Sequence, residues 1–195
     1  MDAKPIPFEE VERWVKPPPP ETKTYSFHHT CYRIKDPRVT VDFYSRVLGM
    51  KLIATLPLEN LKTTMYFMGY TEEGETVPSD FKERMEFLLH RKQHTPVIEF
   101  LHNWGTENMS DLKLHDGNKA PKGYSHICVA VQDADAEIKR VANLGVRVIK
   151  ESGGQGYAFI EDPDGYWVEF LDGDRLGSPG DPNIDITEMK AAIGF

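Results

Sequence analysis

The chain has 195 residues, a formal charge of −8, 39% hydrophobic residues and two cysteines. That length suffices for a buried core, and the acidic balance argues against nucleic acid or an anionic membrane as the main partner. With no long apolar run, no signal-peptide core at the N-terminus and no cysteine-spacing motif, a cytoplasmic protein with free thiols is expected.

In chain order, residues 1–23 form an arm. Phe8, Val11, Trp14 and Val15 lie at helical spacing, and the four prolines from Pro17 to Pro20 stop that helix and form a stiff connector. The helix is expected to pack on a partner subunit or on the body of the fold. A first module spans 24–105. It begins with a strand-like run at 27–34 carrying His29, followed by Asp36-Pro37, a helix N-cap with proline at the first helical position. Val39, Phe43 and Val47 give an apolar helical stripe that ends at Gly49. Strand-like runs follow at 51–56 and 64–70, then a helical patch at 81–89 and a last strand at 97–101 that carries Glu99.

Residues 106–121 connect the modules without periodicity, and a second module spans 122–172. His126 lies on its first strand and Asp133 suits an N-cap. Ile138, Val141 and Leu144 mark a helix that Gly145 ends, and strands are expected at 146–149 and 157–160. The turn Asp162-Pro163-Asp164-Gly165 leads into a last strand with Glu169. The modules therefore repeat one another as β-α-β-β-β, an internal duplication in an α+β fold. Cys31 and Cys128 repeat as well, each two residues after its histidine; they read most simply as small strand residues, with a place near the site left open because they share the histidines' strand face. The tail, 173–195, is rich in Gly, Pro and Asp before a helical pattern from Ile186.

Two imidazoles and two carboxylates at matching positions form a donor set for one divalent first-row ion, Zn or Ni foremost, with Co, Mn or Fe also compatible. The metal set is His29, Glu99, His126 and Glu169, and open positions on the ion would take two substrate oxygens. A carboxylate of the set could then move a proton α to a carbonyl through an enediolate. His28 is expected on the opposite strand face and not as a ligand. The remaining histidines, His90, His94, His102 and His115, read as solvated loop or strand-end residues.

The motifs R-I-K-D-P at 33–37, D-F-Y-S-R-V-L-G-M at 42–50, H-N-W-G-T-E at 102–107, H-D-G-N at 115–118 and D-P-D-G-Y-W-V-E at 162–169 resemble glyoxalase I (lactoylglutathione lyase) of the vicinal-oxygen-chelate superfamily. The resemblance covers about residues 24–172. It implies modules paired across a homodimer with an intersubunit metal site, Glu169 as principal base and Glu99 as its partner. It places substrate contacts at Arg33, Asn103, Lys122 and Lys150, and pocket positions at Thr63 and Met65. Departures from the usual pattern concentrate near the substrate. His28-His29 stands for a Gln pair, Lys122 for an Arg and Thr63 for a Phe. The segment 151–156, Glu-Ser-Gly-Gly-Gln-Gly, replaces a longer basic loop that closes over the glutathione adduct.

These departures resemble a specialised, glutathione-independent glyoxalase I of sesquiterpenoid (gossypol) biosynthesis that aromatises a hydroxy-ketone, so this function is expected and a glutathione requirement is not. The alternative is lactoylglutathione lyase proper, acting on the methylglyoxal–glutathione hemithioacetal. An extradiol-type iron oxygenase fits poorly because of the second glutamate. A ligand-sequestering protein of the bleomycin-resistance kind would need none of the four donors.

Overall fold

The computed structural model describes residues 5–90 and 96–172. The expectations for His94 and for the tail lie outside the described residues. Asp36 and Asp133 start the two module helices as their sequence predicts, the Asp36 carboxylate accepting the Arg38 N–H and the Asp133 carboxylate the Ala136 N–H. These interactions satisfy backbone donors that a first helical turn leaves without partners. The first helix, α2 (Pro37–Asp42), runs directly into a π-helical turn at Phe43–Val47. Its counterpart α4 (Ala134–Asn143) is regular. Gly49 at φ +73° and Gly145 at φ +78° end them, in the left-handed conformation that glycine adopts without strain.

Each module folds as a four-stranded sheet. The first has the order β1-β4-β3-β2 and comprises β1 (His29–Ile34), β2 (Lys51–Leu58), β3 (Thr63–Gly69) and β4 (Val97–Asn103). The second has the equivalent order β5-β8-β7-β6, with β5 (His126–Val131), β6 (Arg147–Lys150), β7 (Tyr157–Glu161) and β8 (Trp167–Asp172). The duplication extends to register: β1 pairs parallel with β4, with Cys31 opposite Glu99, and β5 pairs parallel with β8, with Cys128 opposite Glu169. The histidines therefore lie on edge strands and the glutamates one strand inward.

Strand alternation separates two faces. On β1, Tyr32 and Ile34 are buried while His29, Cys31 and Arg33 are exposed. The inner faces of both sheets share one core with α2, the π turn and α4, built around Tyr44, Phe100, Phe170, Val47, Val141 and Val168. A second, smaller core lies under α3 (Phe81–Leu89), where Leu88 and Met85 pack with Ile53, Ala54, Phe67 and Val97. This helix covers part of the face that carries His29 and Glu99.

The Asp162–Gly165 turn fastens the second module to the first. Tyr44 Oη donates to Asp162 Oδ2 at 3.0 Å, Lys35 N–H and Thr40 Oγ1 donate to the two Asp164 oxygens at 2.8 Å each, and Tyr166 Oη donates to the Arg33 carbonyl at 3.1 Å. Within the turn, Asp162 Oδ1 accepts the N–H groups of Asp164 and Tyr166, and Gly165 holds φ +96°. The segment 106–121 is irregular beyond a 3₁₀ turn at Thr106–Asn108. The arm differs in detail. Its helix α1 spans only Phe8–Glu12 and buries no residue, and Pro20 opens a 3₁₀ turn at Pro20–Thr24. Trp14 and Val15, expected within the helix, lie beyond it and are exposed. Among the described residues no helix is long and apolar enough to cross a membrane.

Candidate metal centre

Each sheet presents one His–Glu pair on the face away from the shared core. His29 Nε2 lies 3.3 Å from Glu99 Oε2, and His126 Nε2 lies 3.1 Å from Glu169 Oε2. Two ligands bound at about 2.1 Å to one ion, at right or tetrahedral angles, stand about 3.0–3.4 Å apart, so each pair has the separation of neighbouring ligands on a shared cation. The glutamate side chains are only 9% and 12% exposed, against 39% and 26% for the imidazoles. The carboxylates thus form the floor of each half-site, and the imidazoles form its open rim on the sheet edge. Such donors fit a divalent ion, and the carboxylate of each pair would offset part of its charge in half-buried surroundings.

In both half-sites a cysteine stands beside the glutamate. Cys31 Sγ donates to Glu99 Oε1 at 3.1 Å, and Cys128 lies opposite Glu169 in the matching strand register. Burial first, and the adjacent glutamate next, push both thiols up to about 12. In the metal-free protein both are therefore protonated thiols at neutral pH. In the first pair the thiol occupies Oε1 and leaves Oε2 toward the imidazole. Of the two readings the sequence left open, Cys31 takes the place beside the site, as the shared strand face with His29 allowed.

Phe67 and Phe159 complete the repeat. Phe67 pairs with Glu99 and stands edge-on to His29 at 6.2 Å between ring centroids, while Phe159 pairs with Glu169 and stands edge-on to His126 at 5.2 Å. Sequence reading missed these residues. Aligning the third strand of each module would have matched them.

The remaining candidates fall into two groups. Arg33, Asn103 and Thr63 come together at the far end of the first site face. Arg33 Nη1 donates to Asn103 Oδ1 at 3.0 Å, and Asn103 Nδ2 donates to Thr63 Oγ1 at 3.3 Å. Thr63 is buried, and Met65 packs against the core beneath α3, so Met65 contributes an apolar wall. In the second module Lys150 donates to Gln155 Oε1 at 3.1 Å, and its ammonium lies 4.1 Å from the centroid of the Tyr157 ring. Lys122 is exposed on the connection before β5. In the short 151–156 segment Gly156 N–H donates to Ser152 Oγ, and Gly154 N–H donates to Asp135 Oδ1 on α4.

Two histidine expectations need correction. His102 is buried, not solvated, and its Nε2 lies 2.8 Å from Glu107 Oε2, which also accepts the Gly105 N–H. That pair fixes the turn after β4 and hence Asn103. His28 does not follow strand alternation, because β1 begins one residue later. Its ring stands beside His29, with centroids 5.1 Å apart. His90 and His115 are exposed, as expected.

Residues 26–170 match the Glyoxalase/Bleomycin resistance protein/Dioxygenase superfamily. The lactoylglutathione lyase of Pseudomonas aeruginosa is 43% identical over 161 residues, covering 82% of this chain and 89% of that one. The chain belongs to the glyoxalase I family. It is accordingly an enzyme of glyoxalase I type. The lactoylglutathione lyase of Pseudomonas putida is 40% identical, covering 78% and 87% of the two chains. Glyoxalase I of Saccharomyces cerevisiae is 35% identical over 79% of this chain, which spans about half (47%) of the yeast protein. The solved glyoxalase I of Leishmania major has a TM-score of 0.59 at 24% identity, covering 86% of this chain and 99% of that one, and bears out the fold alone.

The expectation of a sesquiterpenoid-specific branch finds no support among these relatives. The departures that suggested it, His28-His29 and the short 151–156 segment, occur in a chain with close likeness to bacterial lactoylglutathione lyases, and the alternative reading is the better supported one.

Proposed function

We propose that the chain is a lactoylglutathione lyase, which isomerises the hemithioacetal of methylglyoxal and glutathione to S-lactoylglutathione. The observation that carries this reading is the duplicated His–Glu pair, in identical strand register in both modules and each at ligand separation. The names of the bacterial relatives supply the substrate. A divalent ion held by His29, Glu99, His126 and Glu169 would polarise the vicinal oxygens of the substrate and acidify the intervening C–H.

The chain's own residues do the rest. Among the described residues no three His, Cys, Asp or Glu side chains gather as a ligand cluster; each module offers one pair, with its imidazole on an edge strand. A second copy of the chain, placing a first-module pair against a second-module pair, completes the set of four. Glu169 is the base. It takes the proton from the carbon bearing sulfur and returns one to the neighbouring carbon, so an aldehyde-level carbon becomes a thioester and the ketone a secondary alcohol, with no net change in atoms or electrons. Glu99 serves the opposite face of the same intermediate. The mostly buried carboxylates limit water at the reacting carbons, and Phe67 and Phe159 wall the site. Arg33 and Asn103, with Lys122 and Lys150, are the polar contacts for the carboxylates of glutathione, Arg33 by a planar fork and the lysines as point charges.

The test is turnover of methylglyoxal with and without glutathione, on protein whose metal content has been assayed. Turnover that requires glutathione supports the reading. No turnover in fully metal-loaded protein overturns it and returns attention to hydroxy-ketone substrates.

A further inference from the structure

His28 is half-buried between the start of β1 and the end of α3, and its ring makes two hydrogen bonds. Nε2 lies 3.1 Å from the Leu88 carbonyl, and Nδ1 lies 2.9 Å from His29 Nδ1. A carbonyl oxygen can only accept, so His28 Nε2 carries the proton of that bond. In a neutral ring, His28 Nδ1 is then a bare acceptor, and the partner nitrogen, His29 Nδ1, must donate. This leaves His29 Nε2 as a bare lone pair, and Nε2 is the atom that faces Glu99 Oε2 at 3.3 Å. Two acceptors facing each other at that distance repel unless a cation lies between them.

We propose that His28 is a positioning residue that fixes the ring tautomer of His29, so that Nε2 is presented unprotonated to a metal ion. The relay runs from the Leu88 carbonyl through His28 to His29. It begins at a carbonyl in the last turn of α3, a group that a helix end leaves without an intrahelical partner. The helix covering the site face thereby also sets the protonation pattern of a ligand beneath it. Without His28, a neutral His29 would be free to carry its proton on Nε2 and donate it to Glu99, which would occupy both ligand atoms with each other. The second module lacks this device: His126 Nδ1 lies 2.8 Å from Ser125 Oγ, and a hydroxyl can donate or accept, so it selects neither tautomer. The two otherwise matching half-sites differ at this point.

The inference rests on His29 being a metal ligand, and its test separates the two ideas. Metal-free, full-chain protein labelled with ¹⁵N-histidine would be examined by two-bond ¹H–¹⁵N correlation at about pH 8.5, above the ordinary imidazole range. His29→Gln would assign the His29 signals. The expected result is His29 protonated on Nδ1 and His28 protonated on Nε2. His28→Leu should release His29 to a form protonated mainly on Nε2. His28→Gln should preserve the wild-type pattern, because its carboxamide can donate to Leu88 and accept from His29. Zn²⁺ affinity by chelator competition should fall about 10- to 100-fold in His28→Leu and stay within about threefold in His28→Gln.

His29 protonated on Nε2 in wild-type protein that binds Zn²⁺ overturns the proposal alone. His29 protonated on Nδ1 in wild-type protein that fails to bind Zn²⁺ overturns the ligand reading, and the role of His28 with it. If His28→Leu loses its fold, the decision falls to the wild-type pattern and to His28→Gln.

Discussion

The carboxyl of Asp162 ties pH to the joint between the modules, and Asp162→Asn is the perturbation that exposes it. Burial foremost, and the adjacent Asp164 carboxylate next, push Asp162 from the ordinary 3.8 up to about 7, against hydrogen bonds from Tyr166, Tyr44 and Asp164 that favour the charged form. Because the folded value lies above the unfolded one, the folded state holds the extra proton between about pH 4 and pH 7. Stability from this group is therefore full below about pH 4, is lost as pH rises toward 7 and is flat beyond. A shift of about three units corresponds to roughly 4 kcal/mol, of which about 2.5 kcal/mol falls between pH 5 and pH 8. Asp164, also raised by burial, contributes with the same sign.

Asparagine keeps the oxygen that accepts the Asp164 and Tyr166 N–H groups, and the Tyr44 hydroxyl can turn to accept from the new amide, since Tyr32 Oη lies 3.1 Å away and either hydroxyl can donate. Urea unfolding of metal-free protein at one protein concentration, from pH 5 to pH 8, is the assay. Wild type should lose stability across this range, and Asp162→Asn should lose about 2.5 kcal/mol less than wild type. Parallel curves for the two proteins would refute the reasoning.

Two further perturbations address the site. Glu169→Gln keeps the size of the side chain and one acceptor oxygen but not a base, so kcat should fall about 10²- to 10⁴-fold with an unchanged circular dichroism spectrum. Metal content measured on the same sample separates loss of the base from loss of a ligand, and wild-type rates would remove Glu169 from that role. Phe159→Ala empties a fully buried position behind His126 and should cost about 3–5 kcal/mol in urea unfolding. A loss below about 1 kcal/mol would mean that the ring is not a structural wall of the site.

The sequence by itself determined the duplicated module. Aspartates at Asp36 and Asp133 and glycines at Gly49 and Gly145 bracket the two helices, and these signals act within one or two turns of chain, where local hydrogen bonding and backbone sterics decide the outcome. It also marked His29 with His126 and Glu99 with Glu169 as equivalent positions of the repeat, since each falls at the same step of an equivalent strand, whereas the contact of each histidine with its glutamate waited on strand pairing. Strand order and register came only with the tertiary structure. They bring Phe67 and Phe159 against the imidazoles and set the Cys31 and Cys128 thiols on the glutamates, contacts between residues remote in the chain.

Burial of His102 likewise depended on how the turn after β4 folds back onto it. The role of His28 required knowing that β1 starts at His29 and that α3 ends above it. Alternation predicts a face only inside a strand, and His28 stands just outside one, where the carbonyl of Leu88, remote in the chain, decides where its ring points.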